Sequence, residues 1–345
     1  MAALRKPQLL QKLIVAAALS GWSIGYNGNE HHPFHLLLSK DGETEAVLVY
    51  IWNITHGGGA ERPSHEYRIQ ITGVPAIDQI AGVKTLLLGY WEEKDVFAGW
   101  DAVRHSGPVT GFSPSFQIRE EYLLQAANDG LAVCPRGSTE VAVAFSPGSF
   151  INYVRNLYGL HGAVSLAEQQ VVTQIAQARG QVNEAELAPL PLERQIVVRT
   201  VAERQRATNF RQRVLTAYHS RCAVCGLQMR LVDAAHIVPV RHTASNDEIN
   251  NGLCLCALHH RAFDQGLIAV LPNYQVAINR TRLNDLQMQN LSGGADDFVG
   301  YLRAEILRPV SLQEQPNKAL IRTALRVREL HNDRMEPVQG RRATT

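Results

Sequence analysis

Apolar residues recur at helical spacing over residues 8–19 and then give way to short alternating or continuous apolar runs. These lie at 35–38, 46–52, 67–72, 85–91, 96–100, 116–118 and 141–145, and runs of this length with β-branched and aromatic residues predict strands. Asp41-Gly42, Asp129-Gly130 and Ser146-Pro147-Gly148 supply turn signals between them. One helix is expected over 119–128. The first half therefore reads as a β-rich mixed α/β domain, and the chain as α+β.

Beyond residue 160 the period changes. A helix is expected over 165–179, then a connector over 180–191 containing Ala188-Pro189-Leu190-Pro191. A basic helix follows over 202–219, a compact Cys/His segment over 222–270, and two more helices near 297–307 and 317–331. The expected division is a first domain over 1–160, a helical linker over 161–200 and a second domain over 201–345. A chain of 345 residues has room for two cores.

Composition changes the picture little until it is divided. At 45% apolar and 19% charged the chain is ordinary globular protein, which excludes wholesale disorder and collagen-like repeats. The longest apolar run, at 13–19, is too short to span a membrane and reads as an amphipathic first helix rather than a signal peptide. A cytoplasmic chain is expected. The net charge is +2, yet residues 1–190 hold 13 Lys+Arg against 18 Asp+Glu, leaving the remainder with a balance of +7. Most of the basic groups are Arg, which suits bidentate phosphate contact. A solvated helical surface is the plain alternative.

Five cysteines are present, Cys134 alone and Cys222, Cys225, Cys254 and Cys256 clustered. An odd count in one tight cluster favours metal binding over a disulfide framework. Cys222-x₂-Cys225 and Cys256-x₂-His259 form two knuckles able to bring four ligands to one tetrahedral point, as a structural zinc needs. Cys254 breaks the two-residue spacing and ranks below Cys256 as a ligand. Between the knuckles stand Asp233-Ala-Ala-His236-Ile-Val-Pro239 and Asn250-Asn251-Gly252, and directly after them His260 and Asp264. Four residues apart on a helix, His260 and Asp264 share a face and could meet a second metal ion. With His236 opposite, such a site would hold a base for water and a hard cation beside a phosphate.

These elements resemble an HNH nuclease of the ββα-metal fold, in the branch with a zinc-knuckled finger found in predicted bacterial restriction endonucleases. The matching residues are Cys222-x₂-Cys225, Ala235-His236-Ile237-x-Pro239, Asn251-Gly252-Leu253 and Cys256-x₂-His259-His260-x₃-Asp264-x-Gly266. The resemblance covers about 50 residues tightly and 200–330 loosely. It implies a C-terminal ββα-metal finger flanked by helices, acting on double-stranded DNA with structural Zn²⁺ and catalytic Mg²⁺ or Mn²⁺. By position it makes His236 the general base, Asn251 the brace of the loop holding it, and His260 a ligand of the catalytic ion. Ala235 stands where many members carry an Asp ligand, so the carboxylate is expected from Asp264 or, less readily, Asp233. His236 as a buried structural residue, His260 as a spare zinc-site histidine, and a catalytically dead finger are the plain alternatives.

In such proteins the cutter is commonly joined to a reader of DNA sequence or modification, the role expected of residues 1–160. A small-molecule or protein sensor gating a nonspecific nuclease is the alternative. Candidate DNA contacts are Arg62, Arg68, Arg104 and Arg119 in the first half, and Arg204, Arg211, Arg213 and Arg221 before the finger. Tyr90, Trp91 and Trp100 are candidates for stacking on an extruded base, although aromatics on strands are ordinarily core. Cutting both strands with one finger each implies a homodimer.

Overall fold

The computed structural model describes residues 3–28, 31–56, 65–109, 114–163, 165–177, 181–330 and 335–339. The chain divides into two compact units, Met1–Thr208 and Asn209–Thr345. No helix among the described residues is long and apolar enough to cross a membrane.

The first unit is built on a seven-stranded mixed sheet. Its order is Ser23–Tyr26, Phe34–Lys40, Glu43–Asn53, Lys84–Trp91, Val96–Trp100, Glu140–Phe145 and Leu131–Arg136, with one parallel pairing between Glu43–Asn53 and Lys84–Trp91. Side chains alternate across a strand, and Glu43–Asn53 shows the consequence. Val47, Val49 and Ile51 enter one core with the helix Lys6–Leu19, while Leu48, Tyr50 and Trp52 enter the other. Burial on both faces is why this strand reads as a continuous apolar run. A smaller sheet of Ser115–Arg119, Glu66–Gln70 and Thr55–His56 belongs to the second core.

Asp41-Gly42 makes the hairpin expected of it: φ is 50° and 86° at the two residues, and Lys40 pairs with Glu43. Asp129-Gly130 does not join two strands. Gly130, at φ 90°, closes the helix Glu120–Asp129 in the left-handed conformation that favours glycine. Tyr90, Trp91 and Trp100 are buried core residues, so none stands free to stack on a base.

The basic helix begins ten residues earlier than expected, as Leu192–Ala217, directly after Pro191. Before residue 209 it gives Val198, Val201 and Ala202 to a core of the first unit; after it, Phe210 and Val214 to the core of the second.

The second unit is a hairpin and helix with further elements packed on them. Val232–His236 pairs antiparallel with Gly252–Cys256, His236 opposite Gly252, and Ala257–Asp264 follows at once. A second small sheet comprises Ile268–Val270, Val276–Asn279 and Met335–Pro337. The helix expected near 297–307 is shorter, Ala295–Tyr301. Residues after it run extended instead, because Val276 N donates to Ala304 O and Leu307 N to Ala223 O. The last helix is Lys318–Val327, which buries Ile321 and Ala324.

Candidate functional site

The first knuckle is a turn closed by Gly226 N donating to Cys222 O, with Gly226 at φ 83°. Ala223 N donates to Cys254 O, which ties the knuckle to the hairpin. The second knuckle lies where the strand ending at Cys256 becomes the helix carrying His259. As a result Cys222, Cys225, Cys256 and His259 bring one ligand atom each to within 4.8 Å of one another, the group of this kind found among the described residues.

Bond lengths of about 2.3 Å to sulfur and 2.0 Å to nitrogen give tetrahedral edges of about 3.8 Å between sulfurs and about 3.5 Å between sulfur and nitrogen. The structure has Cys225 Sγ 4.0 Å from Cys256 Sγ, and His259 Nδ1 3.6 Å from Cys222 Sγ and 3.2 Å from Cys256 Sγ. The donors thus fit a tetrahedral ion of zinc's size. The hydrogen bond shared by Cys222 and Cys225 pushes the first thiol down and the second up, so without an ion the two sulfurs divide a proton between them. Burial opposes charge on His259, but the two sulfurs outweigh it and lift the imidazole to about 9. Cys254 is buried outside the group, and burial pushes its thiol up to about 12.

His236 ends the first strand of the hairpin. Its ring lies face to face on Phe210, with centroids 3.8 Å apart and planes 14° apart, and its Nε2 is 2.8 Å from Asp247 Oδ1. A carboxylate only accepts, so Nε2 carries the hydrogen and the free lone pair falls on Nδ1. Asp247 was not among the sequence candidates. It sits eleven residues away in a polar loop, with no spacing rule to single it out.

Asn251 is fully buried. Its Oδ1 accepts from Val238 N at 2.9 Å, and its Nδ2 donates to Asn246 O at 2.8 Å. Ile237 N donates to Asn251 O as well, so one residue pins both ends of the loop between His236 and the second strand. Gly252 is needed for close approach: a Cβ there would fall 2.4 Å from Val214 Cγ2 and 3.1 Å from Phe210 Cζ.

His260 and Asp264 occupy one face of the helix, with Nε2 3.4 Å from Oδ2. Two adjacent ligands of an octahedral ion with bonds of about 2.1 Å stand about 3.0 Å apart, so the pair fits a hydrated divalent cation. Asp233 is held elsewhere: Arg211 Nε donates to its Oδ1 at 2.6 Å.

The basic candidates differ in what holds them. Arg211, with only 12% of its side chain exposed, is committed to Asp233, and Arg213 bonds Glu248. Arg204 donates to Asn156 Oδ1, and burial lowers its guanidinium. Arg221 is exposed. In the first unit Arg104 is exposed and donates to Thr139, Arg119 pairs with Glu121 and Tyr122, and Arg68 is half-buried. Arg62 lies outside the described residues.

Residues 222–271 match the family model described as HNH endonuclease, and residues 45–154 that described as Methylase-associated X1. No curated protein sequence matches the chain. Among solved structures, one described as "Modification dependent TagI restriction endonuclease" aligns over 82% of this chain and 81% of that chain, at 12% identity and a TM-score of 0.26.

Proposed function

We propose that this chain, whose residues 222–271 match the HNH endonuclease family model, is a metal-dependent DNA endonuclease of the restriction type. The observation that carries it is the meeting of His236 with Asp247 and Phe210 on a hairpin whose next helix bears His260 and Asp264.

His236 Nδ1 takes a proton from the water that attacks phosphorus, while Asp247 fixes the tautomer and Phe210 the ring plane. Asn251 holds the loop behind His236. His260 and Asp264 would hold Mg²⁺ or Mn²⁺, whose charge would stabilise the leaving alkoxide. Cys222, Cys225, Cys256 and His259 would hold a structural Zn²⁺. The first unit reads DNA sequence or modification, with Arg68, Arg104 and Arg119 as candidate contacts there and Arg213 and Arg221 near the finger. Cleavage of both strands calls for a homodimer.

Plasmid cleavage with Mg²⁺ or Mn²⁺, on modified and unmodified DNA, tests this reading. His236→Ala should lower the rate by about 10²–10⁴, and unchanged cutting refutes the mechanism.

One observation favours the second reading, a signal-gated nonspecific nuclease. The first unit has a cavity of ≈ 480 Å³ lined in part by Asp101, Arg104, Thr139, Tyr158 and His161, within the range of small-molecule sites. Charge reversal at Arg68, Arg104 and Arg119 separates the two. Weakened, less salt-dependent DNA binding supports the reader, and unchanged binding supports the sensor.

A further inference from the structure

Arg328 lies 57 residues beyond the end of the matched domain, just after the helix Lys318–Val327. Its side chain is only 12% exposed. One terminal nitrogen donates to Phe263 O at 3.0 Å and to Asp264 O at 3.4 Å, and the other to His236 O at 3.4 Å. The guanidinium covers the Phe263 ring at 4.4 Å, and Asp264 Oδ1 is 3.8 Å away.

Burying a guanidinium is costly unless its hydrogens are satisfied and a counter-charge is close. Here Nε is buried without a hydrogen-bond partner among the described residues, and the Asp264 carboxylate is half exposed and at 3.8 Å distant for an ion pair. The arrangement is therefore poor as a stabilising ion pair. It is well formed as a bridge. The carbonyls of Phe263 and Asp264 belong to the last helical turn, where acceptors lack partners within the helix and a cation is favoured. The third carbonyl belongs to His236 itself. A planar fork can span all three, whereas an ammonium cannot hold that geometry.

We propose that Arg328 is a positioning residue that fixes the spacing between the strand end bearing His236 and the helix bearing His260 and Asp264. The inference rests on the nuclease reading for its purpose, but its geometry is independent of it. Acting through Asp264 and the helix end, Arg328 sets the affinity of the His260–Asp264 pair for a divalent cation and the placing of that cation relative to the base.

The test uses the full zinc-loaded chain, with Mn²⁺ as probe. Electron paramagnetic resonance measures Mn²⁺ affinity in wild type, Arg328→Gln and Arg328→Lys, beside DNA cleavage resolved into kcat and KM. Arg328→Gln should weaken Mn²⁺ by about tenfold, the low end for residues that orient metal ligands, and lower kcat with little change in KM. Arg328→Lys should recover only part of both. Unchanged Mn²⁺ affinity in Arg328→Gln overturns the proposal, even where its Tm falls, because a purely structural role would move stability alone. A wild type that cuts DNA while Arg328→Gln keeps its Mn²⁺ affinity leaves the nuclease reading standing and the clamp refuted. A wild type that binds Mn²⁺ in an Arg328-dependent way but cuts nothing does the reverse. A wild type that takes up no Mn²⁺ overturns the clamp.

Discussion

Gly252→Ala isolates the steric logic of the site. Gly252 has φ −119° and ψ 144°, a conformation any residue adopts, so backbone strain plays no part. The added methyl would lie 2.4 Å from Val214 Cγ2, 3.1 Å from Phe210 Cζ and 3.2 Å from Ile249 O. Carbon atoms pack at about 3.5–4.0 Å, so Val214 must retreat by about 1 Å or more into a filled core. Overpacking of this kind costs about 1–3 kcal/mol. For a unit of this size that lowers Tm by about 3–10 °C. Phe210 is pushed too, and it is the ring on which His236 lies, so cleavage should fall even where the protein remains folded. Val214→Ala removes the offending methyl. Calorimetry on the two single variants and the double should show the double less destabilised than the sum of the singles by about 1 kcal/mol or more. Gly252→Ala with unchanged Tm, or losses that simply add, would refute the close-approach argument.

Asp247→Asn keeps the volume but no longer obliges Nε2 of His236 to carry the hydrogen. Cleavage should fall by about 10²-fold or more, and a rate within twofold of wild type removes Asp247 from the mechanism. Cys225→Ser should abolish zinc uptake and the cooperative melting of the second unit, whereas Cys254→Ala should retain one zinc per chain by elemental analysis; the converse result would reassign the ligands. Burial, aided by the Lys6 charge, lowers His32 from 6.5 to about 3. Above pH 6.5 its contribution to stability is fully present. Below that the unfolded chain binds the extra proton, so stability is lost as pH falls towards 3, by at most about 2 kcal/mol at pH 5. Denaturant melts of His32→Gln should show a flatter acid slope, and an unaltered slope would contradict this account.

The sheet was legible wherever strands are buried on both faces, as in Glu43–Asn53 and Val96–Trp100. Leu131–Arg136 was hidden by Pro135, which is tolerated because this is an edge strand of the sheet. The segment after Tyr301 misled because its hydrogen bonds go to strand and knuckle rather than within a helix. At the site, the knuckles and the His236, Asn251 and His260 motif were visible because ligand spacing is local. Asp247, Phe210 and Arg328 were not, for each reaches His236 from a loop or helix whose register no short motif records.

The dependence of the His236 carbonyl on Arg328 also bears on what is portable here. A fragment bounded by 222 and 271 would keep the signature yet lose Phe210 beneath the imidazole, Asn317 N on Asn250 O, and the bridge to the last helical turn. The unit that could be grafted intact onto another protein is wider than the motif that identifies it. Its smallest useful edition runs from Asn209 to about Val338, which keeps the strand Met335–Pro337 on Val276–Asn279, and a chimera trimmed to the motif would inherit the residues without their alignment.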